Sequence, residues 1–142
     1  MNWKNEAVEK LKQYGAMRAS TVNLPVELRR LELDAQKIRT SDPGKCMVKG
    51  VSQREDLLLS NLVHRQELEN ALEQAGCWVT EVENALDTLE PEDRLVLDKL
   101  FVYPHCGNLE GLCIELGTEK SSVYRRRDHA LKMFTVALYG KS

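Results

Sequence analysis

A chain of 142 residues, 42% hydrophobic and 30% charged, has the composition of one soluble domain or of a small domain with a helical appendage. No run approaches the roughly 20 apolar residues that a membrane span needs, and the opening Met-Asn-Trp-Lys-Asn-Glu leads into no apolar signal core, so a cytoplasmic protein without a membrane partner is expected. The net charge of −2 excludes a uniformly basic nucleic-acid binder but hides an asymmetry. Between residues 81 and 100, Glu81, Glu83, Asp87, Glu90, Glu92, Asp93 and Asp98 are set against Arg94 and Lys99. Residues 118–142 carry Lys120, Arg125, Arg126, Arg127, Lys132 and Lys141 against Glu119 and Asp128. A locally basic end is what phosphate contact requires, whatever the total.

Residues 2–18 read as a first helix. Trp3, Ala7, Leu11 and Tyr14 recur at helical spacing, and Gly15 marks an end or weak point. Asn23-Leu24-Pro25 reads as the start of a second helix with proline in its first turn, and Leu28, Leu31, Ala35 and Ile38 carry it to about Thr40. Aromatics at this spacing pack rather than stack on bases. Residues 40–51, with Ser41-Asp42-Pro43-Gly44 and Gly50, read as a turn and linker.

Ser52 followed by Glu55 is a capping box and is expected to open the longest element, reaching Leu89. Leu58, Leu59, Leu62 and Val63 make an apolar patch. Beyond it, Leu68, Leu72, Ala75, Val79, Val82, Leu86 and Leu89 alternate steps of four and three, the seam of a coiled coil. Gly76 costs about 1 kcal/mol against alanine and is a place for a bend. The seam can be covered by the first two helices or by a second copy of the chain. A mixture is expected, with Leu68, Leu72, Val79, Val82 and Leu86 as the oligomerisation residues of a homodimer.

Glu90-Pro91-Glu92-Asp93 stops one helix and starts another, with proline first and acids in the first turn. Leu95, Val96, Leu97, Leu100 and Phe101 give that helix an apolar face. Tyr103–Gly107 is a loop, and Asn108 is expected to cap the next helix, which runs to Leu116. A single glycine then precedes Thr118-Glu119-Lys120-Ser121-Ser122-Val123-Tyr124-Arg125-Arg126-Arg127. A short helix, a tight glycine turn and a longer helix opening with polar and basic residues is the pattern of a helix-turn-helix, with Thr118 as the expected N-cap.

At 3.6 residues per turn, Val123, Ala130, Leu131, Phe134 and Leu138 share one side of this last helix. Ser121, Arg125, Asp128 and Lys132 lie opposite, flanked by Ser122 and Tyr124. Donors and a long cation at an exposed N-terminal end suit base edges in a major groove. Arg127 points toward the apolar side and is assigned an ion pair with an acid of the Glu90–Asp98 stretch. The competing reading is a surface helix whose arginines pair with the acids before it.

No nucleophile–base pair, phosphate-cradling glycine loop or metal-ligand cluster occurs, and His64, His105 and His129 are scattered, so neither an enzyme nor a cofactor is expected. Cys46, Cys77, Cys106 and Cys113 form no CxxC and have no zinc-finger spacing. Cys113, beside Leu109, Leu112 and Leu116, is a small core residue.

Three segments, Leu86–Leu97, Leu109–Gly117 and Ser122–Leu131, resemble region 4 of bacterial sigma factors, the domain that reads the −35 promoter element. With Asn23-Leu24-Pro25-Val26-Glu27-Leu28-Arg29-Arg30-Leu31-Glu32, most of the chain resembles phage and prophage late transcriptional regulators of the ArpU/RinA type. The resemblance implies an all-α fold: a helical, coiled-coil oligomerisation region over 1–89, then a sigma region-4-like helix-turn-helix domain over 90–142. It implies double-stranded DNA as partner, a homodimer, and a possible contact with host RNA polymerase. It places base contacts on Lys120, Ser121, Ser122, Tyr124 and Arg125; Arg126 and Lys132 are assigned to phosphate, with an ion pair as the alternative at Arg126. Serines and a tyrosine stand where sigma factors commonly carry charged residues and glutamine, so no target sequence transfers. No segment resembles the region that melts the −10 element. The alternatives are a small terminase-like packaging protein, which also joins a helix-turn-helix to an oligomerisation region, and a coiled-coil interaction protein that contacts polymerase.

Overall fold

The computed structural model describes residues 2–40 and 48–141. Every regular element among them is helical: α1 (Trp3–Thr40), α2 (Val48–Asp87), α3 (Pro91–Leu97), a π-helical turn (Asp98–Val102), α4 (Asn108–Leu116) and α5 (Lys120–Tyr139). No described helix is long and apolar enough to cross a membrane.

The first two expected helices are one. Gly15 and Pro25 both lie inside α1, although an interior proline costs about 3 kcal/mol by withholding an N–H and crowding the preceding turn. The buried and half-buried positions explain the continuity. Ala7, Leu11, Tyr14, Met17, Thr21, Leu24, Leu28, Leu31, Ala35 and Ile38 follow one another at steps of three or four, with no larger gap at either residue. A break would have forfeited that shared side, and Pro25 itself faces solvent. The start of α2 also differs from expectation: the helix begins at Val48, so Ser52 is interior and the Ser52–Glu55 capping box does not open it. Part of the expected linker is therefore helix, and its segment 41–47 lies outside the described residues. α2 passes through Gly76 as continuous helix and ends at Asp87, two residues before the expected Leu89.

Contacts divide the chain into two compact units. One comprises residues 1–18 and 77–142, the other residues 19–76. The division does not follow the expected boundary at 89/90, because the core of the first unit crosses it.

In that first unit, Ala7, Leu11 and Tyr14 of α1 pack with Val79, Val82, Ala85 and Leu86 of α2, and with Ala130, Leu131 and Phe134 of α5. Leu97 and Val102 join them. These two stand five residues apart, the spacing a π-turn brings onto one side, and the turn is closed by the Tyr103 N–H donating to the Asp98 carbonyl at 2.8 Å. Polar ties surround the cluster: the Tyr14 hydroxyl donates to Glu83 at 2.5 Å, and Arg94 reaches Asp87 at 2.5 Å. A second cluster joins Val96, Leu112 and Val123, with Leu95, Leu100, Leu109, Cys113 and Leu116 around it. It holds α3, α4 and α5 together.

The fate of the α2 seam is a correction. Val79, Val82 and Leu86 are filled by this chain's own α1 and α5 and are not free to pair a second copy.

In the second unit, α1 and α2 lie side by side, and the Asn61 amide donates to the Leu31 carbonyl at 2.9 Å. The buried and half-buried side of α2 here includes Arg54, Leu58, Asn61, Arg65, Leu68 and Leu72. Leu68 and Leu72 thus sit half-buried on the side that carries the Asn61 bond. The seam is partly polar in this unit, with Arg65 donating to Asn61 at 2.8 Å.

Candidate nucleic-acid interface

α3 starts as expected, with Glu90 as N-cap and Pro91 in the first turn. Asn108 does not cap α4. Gly107 does, at φ 85°, and the Asn108 amide turns back to donate to the carbonyls of Lys99 (2.7 Å) and Tyr103 (2.9 Å), fastening α4 to the preceding turn.

α4 ends in a left-handed glycine, Gly117, at φ 65°. Its N–H bonds to the Ile114 carbonyl at 3.3 Å and the Thr118 N–H to the Cys113 carbonyl at 3.0 Å, the paired bonds of a Schellman motif. This conformation strains any side-chain-bearing residue, which is why one glycine suffices to redirect the chain. The cap of α5 is Glu119, not Thr118. Its carbonyl accepts from Ser122 and Val123, both at 3.1 Å.

The wheel of α5 holds. Val123, Ala130, Leu131 and Phe134 are buried and Leu138 half-buried, and they anchor the helix across both clusters. Its other side exposes Lys120, Ser121, Ser122, Tyr124, Arg125, Asp128 and Lys132.

The three consecutive arginines have three different environments. Arg126 turns toward α3, where it bonds to Glu92 and lies 3.8 Å from Asp93. It therefore occupies the ion pair with the acidic stretch. Arg127, which sequence reasoning assigned to that pair, instead meets Asp128 at 2.9 Å and lies 4.9 Å over the Tyr124 ring. The reason is rotational: one residue moves the side chain by about 100°, and only Arg126 points at α3. The i, i+3 spacing of Tyr124 and Arg127 was a readable signal for the stack that went unused. Arg125 makes no hydrogen bond, ion pair or ring contact with any described residue, and neither does Lys132. Lys120 meets Glu110 at 3.8 Å across an exposed bridge, which holds it weakly.

Beside this face is a cleft lined by Glu90, Glu92, Asp93, Thr118, Ser122, Arg125, Arg126 and His129. Asp93 is its buried member, 5% exposed, with the His129 imidazole 4.0 Å away. Burial pushes the Asp93 carboxyl above its usual range, His129 pulls it back, and Glu90 adds to the rise. Sequence reasoning did not find this cluster, because only the packing of α3 on α5 brings residues 93 and 129 together. Three acids, Glu90, Glu92 and Asp93, thus lie on this flank of α5 with Arg126 and His129, whereas Ser121, Tyr124, Arg125 and Lys132 are exposed on its other side. Asp128 is the acid on that side, and Lys4 lies 3.9 Å from it.

Among the described residues no group of three His, Cys, Asp or Glu is placed to hold a metal. Cys77, Cys106 and Cys113 are free thiols, with Cys113 half-buried against the second cluster. Compared with protein-family models, curated proteins and solved structures, the chain matches none.

Proposed function

We propose that α4, the Gly117–Glu119 turn and α5 act as a helix-turn-helix that binds double-stranded DNA sequence-specifically, and that the protein regulates transcription in the manner of the phage late regulators it resembles. One observation carries the reading. At the exposed N-terminal end of α5, Arg125 is left without an internal partner while Arg126 and Arg127 are both engaged. An exposed guanidinium on the same end of α5 as Ser121, Ser122 and Tyr124 suits the bidentate acceptor pair on a guanine edge, and a major groove about 12 Å wide admits one helix. Lys120 sits at the tip of α5, and Lys132, two turns beyond Arg125 on the same side, is assigned to phosphate. Arg126 is assigned to positioning: its bond to Glu92 holds α5 against α3.

The test is selection of bound duplexes from a random pool at near-physiological salt, with Arg125→Ala in parallel. Recovery of a motif that loses information at one base pair in the variant, at about 1–3 kcal/mol of discrimination, supports the assignment. No enriched motif, with binding that vanishes as salt rises, would reduce α5 to an electrostatic accessory.

A further inference from the structure

The second unit leaves much apolar surface uncovered. Among its described residues, the buried side chains are those of two alanines, Ala35 and Ala75. Val22, Val26, Leu33, Leu57, Leu59, Leu62 and Val63 are all large, apolar and exposed there, Val22 and Val26 by 65% and 67% and Leu59 by 61%.

Apart from Leu57, these residues are not scattered. At about 100° per residue, Val22, Val26 and Leu33 fall within about 40° of one another on α1, roughly opposite its buried side. Leu59 and Val63 likewise fall roughly opposite the buried side of α2, with Leu62 at their edge. A shallow groove runs along this second stripe, lined by Asp56, Leu59, Ser60, Val63, His64 and Glu67. Each helix of the pair therefore carries a second apolar stripe that faces away from the other helix.

The flanking charges are of opposite sign. Arg29, Arg30 and Lys37 border the α1 stripe, whereas Glu55, Asp56 and Glu67 border the α2 stripe. Among the described residues none of these three acids has an ion-pair partner. Arg29 and Arg30 do pair, with Glu32 at 3.3 Å and Glu27 at 2.5 Å. Both are exposed i, i+3 bridges within one helix, which exchange partners at little cost.

We propose that copies of this chain associate head to tail, the α1 stripe of one copy packing on the α2 stripe of the next. The occupant is a second copy because the two stripes complement each other, bases against acids around apolar centres. Contiguous exposed apolar surface rimmed by polar residues marks contact sites once it exceeds a few hundred Å². Because the stripes face opposite ways, each serves a different neighbour. Contacts between non-identical surfaces close into a ring or continue as a row, so assemblies contain three or more chains. This inference is independent of the DNA-binding reading and relocates self-association away from Val79, Val82 and Leu86.

The test measures the mass of the full chain by light scattering and native mass spectrometry over a concentration series. It uses two variants, Val22→Gln/Val26→Gln and Leu59→Gln/Val63→Gln. Glutamine suits an exposed helix position, and unchanged far-ultraviolet circular dichroism confirms that each variant folds. The wild type is expected at three or more chains and each variant alone as a monomer. Mixing the two variants is expected to give a 1:1 dimer, since each retains the stripe that the other has lost. A monomeric or strictly dimeric wild type, loss of assembly in only one variant, or variants that stay monomeric when mixed would each overturn the proposal.

Discussion

The run Arg125-Arg126-Arg127 shows how position on a helix assigns roles to identical side chains. Arg126 ties α5 to α3 through Glu92 and Asp93, Arg127 lies on Tyr124, and Arg125 remains available. The acid in this arrangement has a pH signature. The folded protein holds the Asp93 carboxyl above 3.8, chiefly by burial. Its contribution to stability is therefore complete below the ordinary aspartate range and is lost as pH rises through the folded-state value. Asp93→Asn is expected to flatten the melting temperature against pH above 3.8 and to gain on the wild type as pH rises. A wild type that gains on the variant over that window would show that its pairing with Arg126 outweighs burial. A second residue-scale prediction concerns Tyr139, whose buried hydroxyl has no hydrogen-bond partner among the described residues, while its ring lies 5.0 Å from Trp3 and 5.1 Å from Lys10. Tyr139→Phe keeps the ring contacts and removes a desolvated polar group. Denaturant titration should show it stabilised by about 1 kcal/mol.

At the scale of elements, the helices obey side-chain phase more than punctuation. Pro25, Gly15 and Gly76 are all strong local signals, and α1 and α2 run through them because the buried positions stay in register on either side. Where no buried register spans a glycine, it does end the helix, as Gly117 does in its left-handed conformation. Gly76 gives a direct test. It is helical, and a Cβ there would meet nothing within 4 Å, so Gly76→Ala should stabilise by about 0.5–1 kcal/mol through lost unfolded-state freedom. Destabilisation would mean that the glycine itself is needed at this position.

For the whole molecule, the decisive fact is that the core behind α5 is built from both ends of the chain. Leu11 is fully buried with Val82, Leu86 and Phe134. Leu11→Ala is expected to cost about 2–5 kcal/mol, read by denaturant titration, and to weaken DNA binding although the site is over a hundred residues away in sequence. Binding unchanged at temperatures where the variant has lost the α1 contact would show that α3–α5 stand alone. The second unit poses the opposite case: two helices that share one side and leave another on each unfilled.

The all-helical class, the starts of α3 and α5 to within a residue, and the exposed and buried sides of α5 were legible because they depend on local terms: 3.6-residue periodicity, proline in a first turn and a glycine turn. The seam of α2 was legible as a seam for the same reason. What covers it was not, because periodicity states that a side must be buried and is silent about its partner. α1 and α5 fill Val79, Val82 and Leu86, and no local pattern encodes an approach between residues 11 and 134. Likewise, sequence showed that an arginine of α5 should meet the acids of α3. Which one did depended on the rotation of α5 about its own axis, and that is set by the burial of Val123, Ala130 and Phe134 in the assembled core.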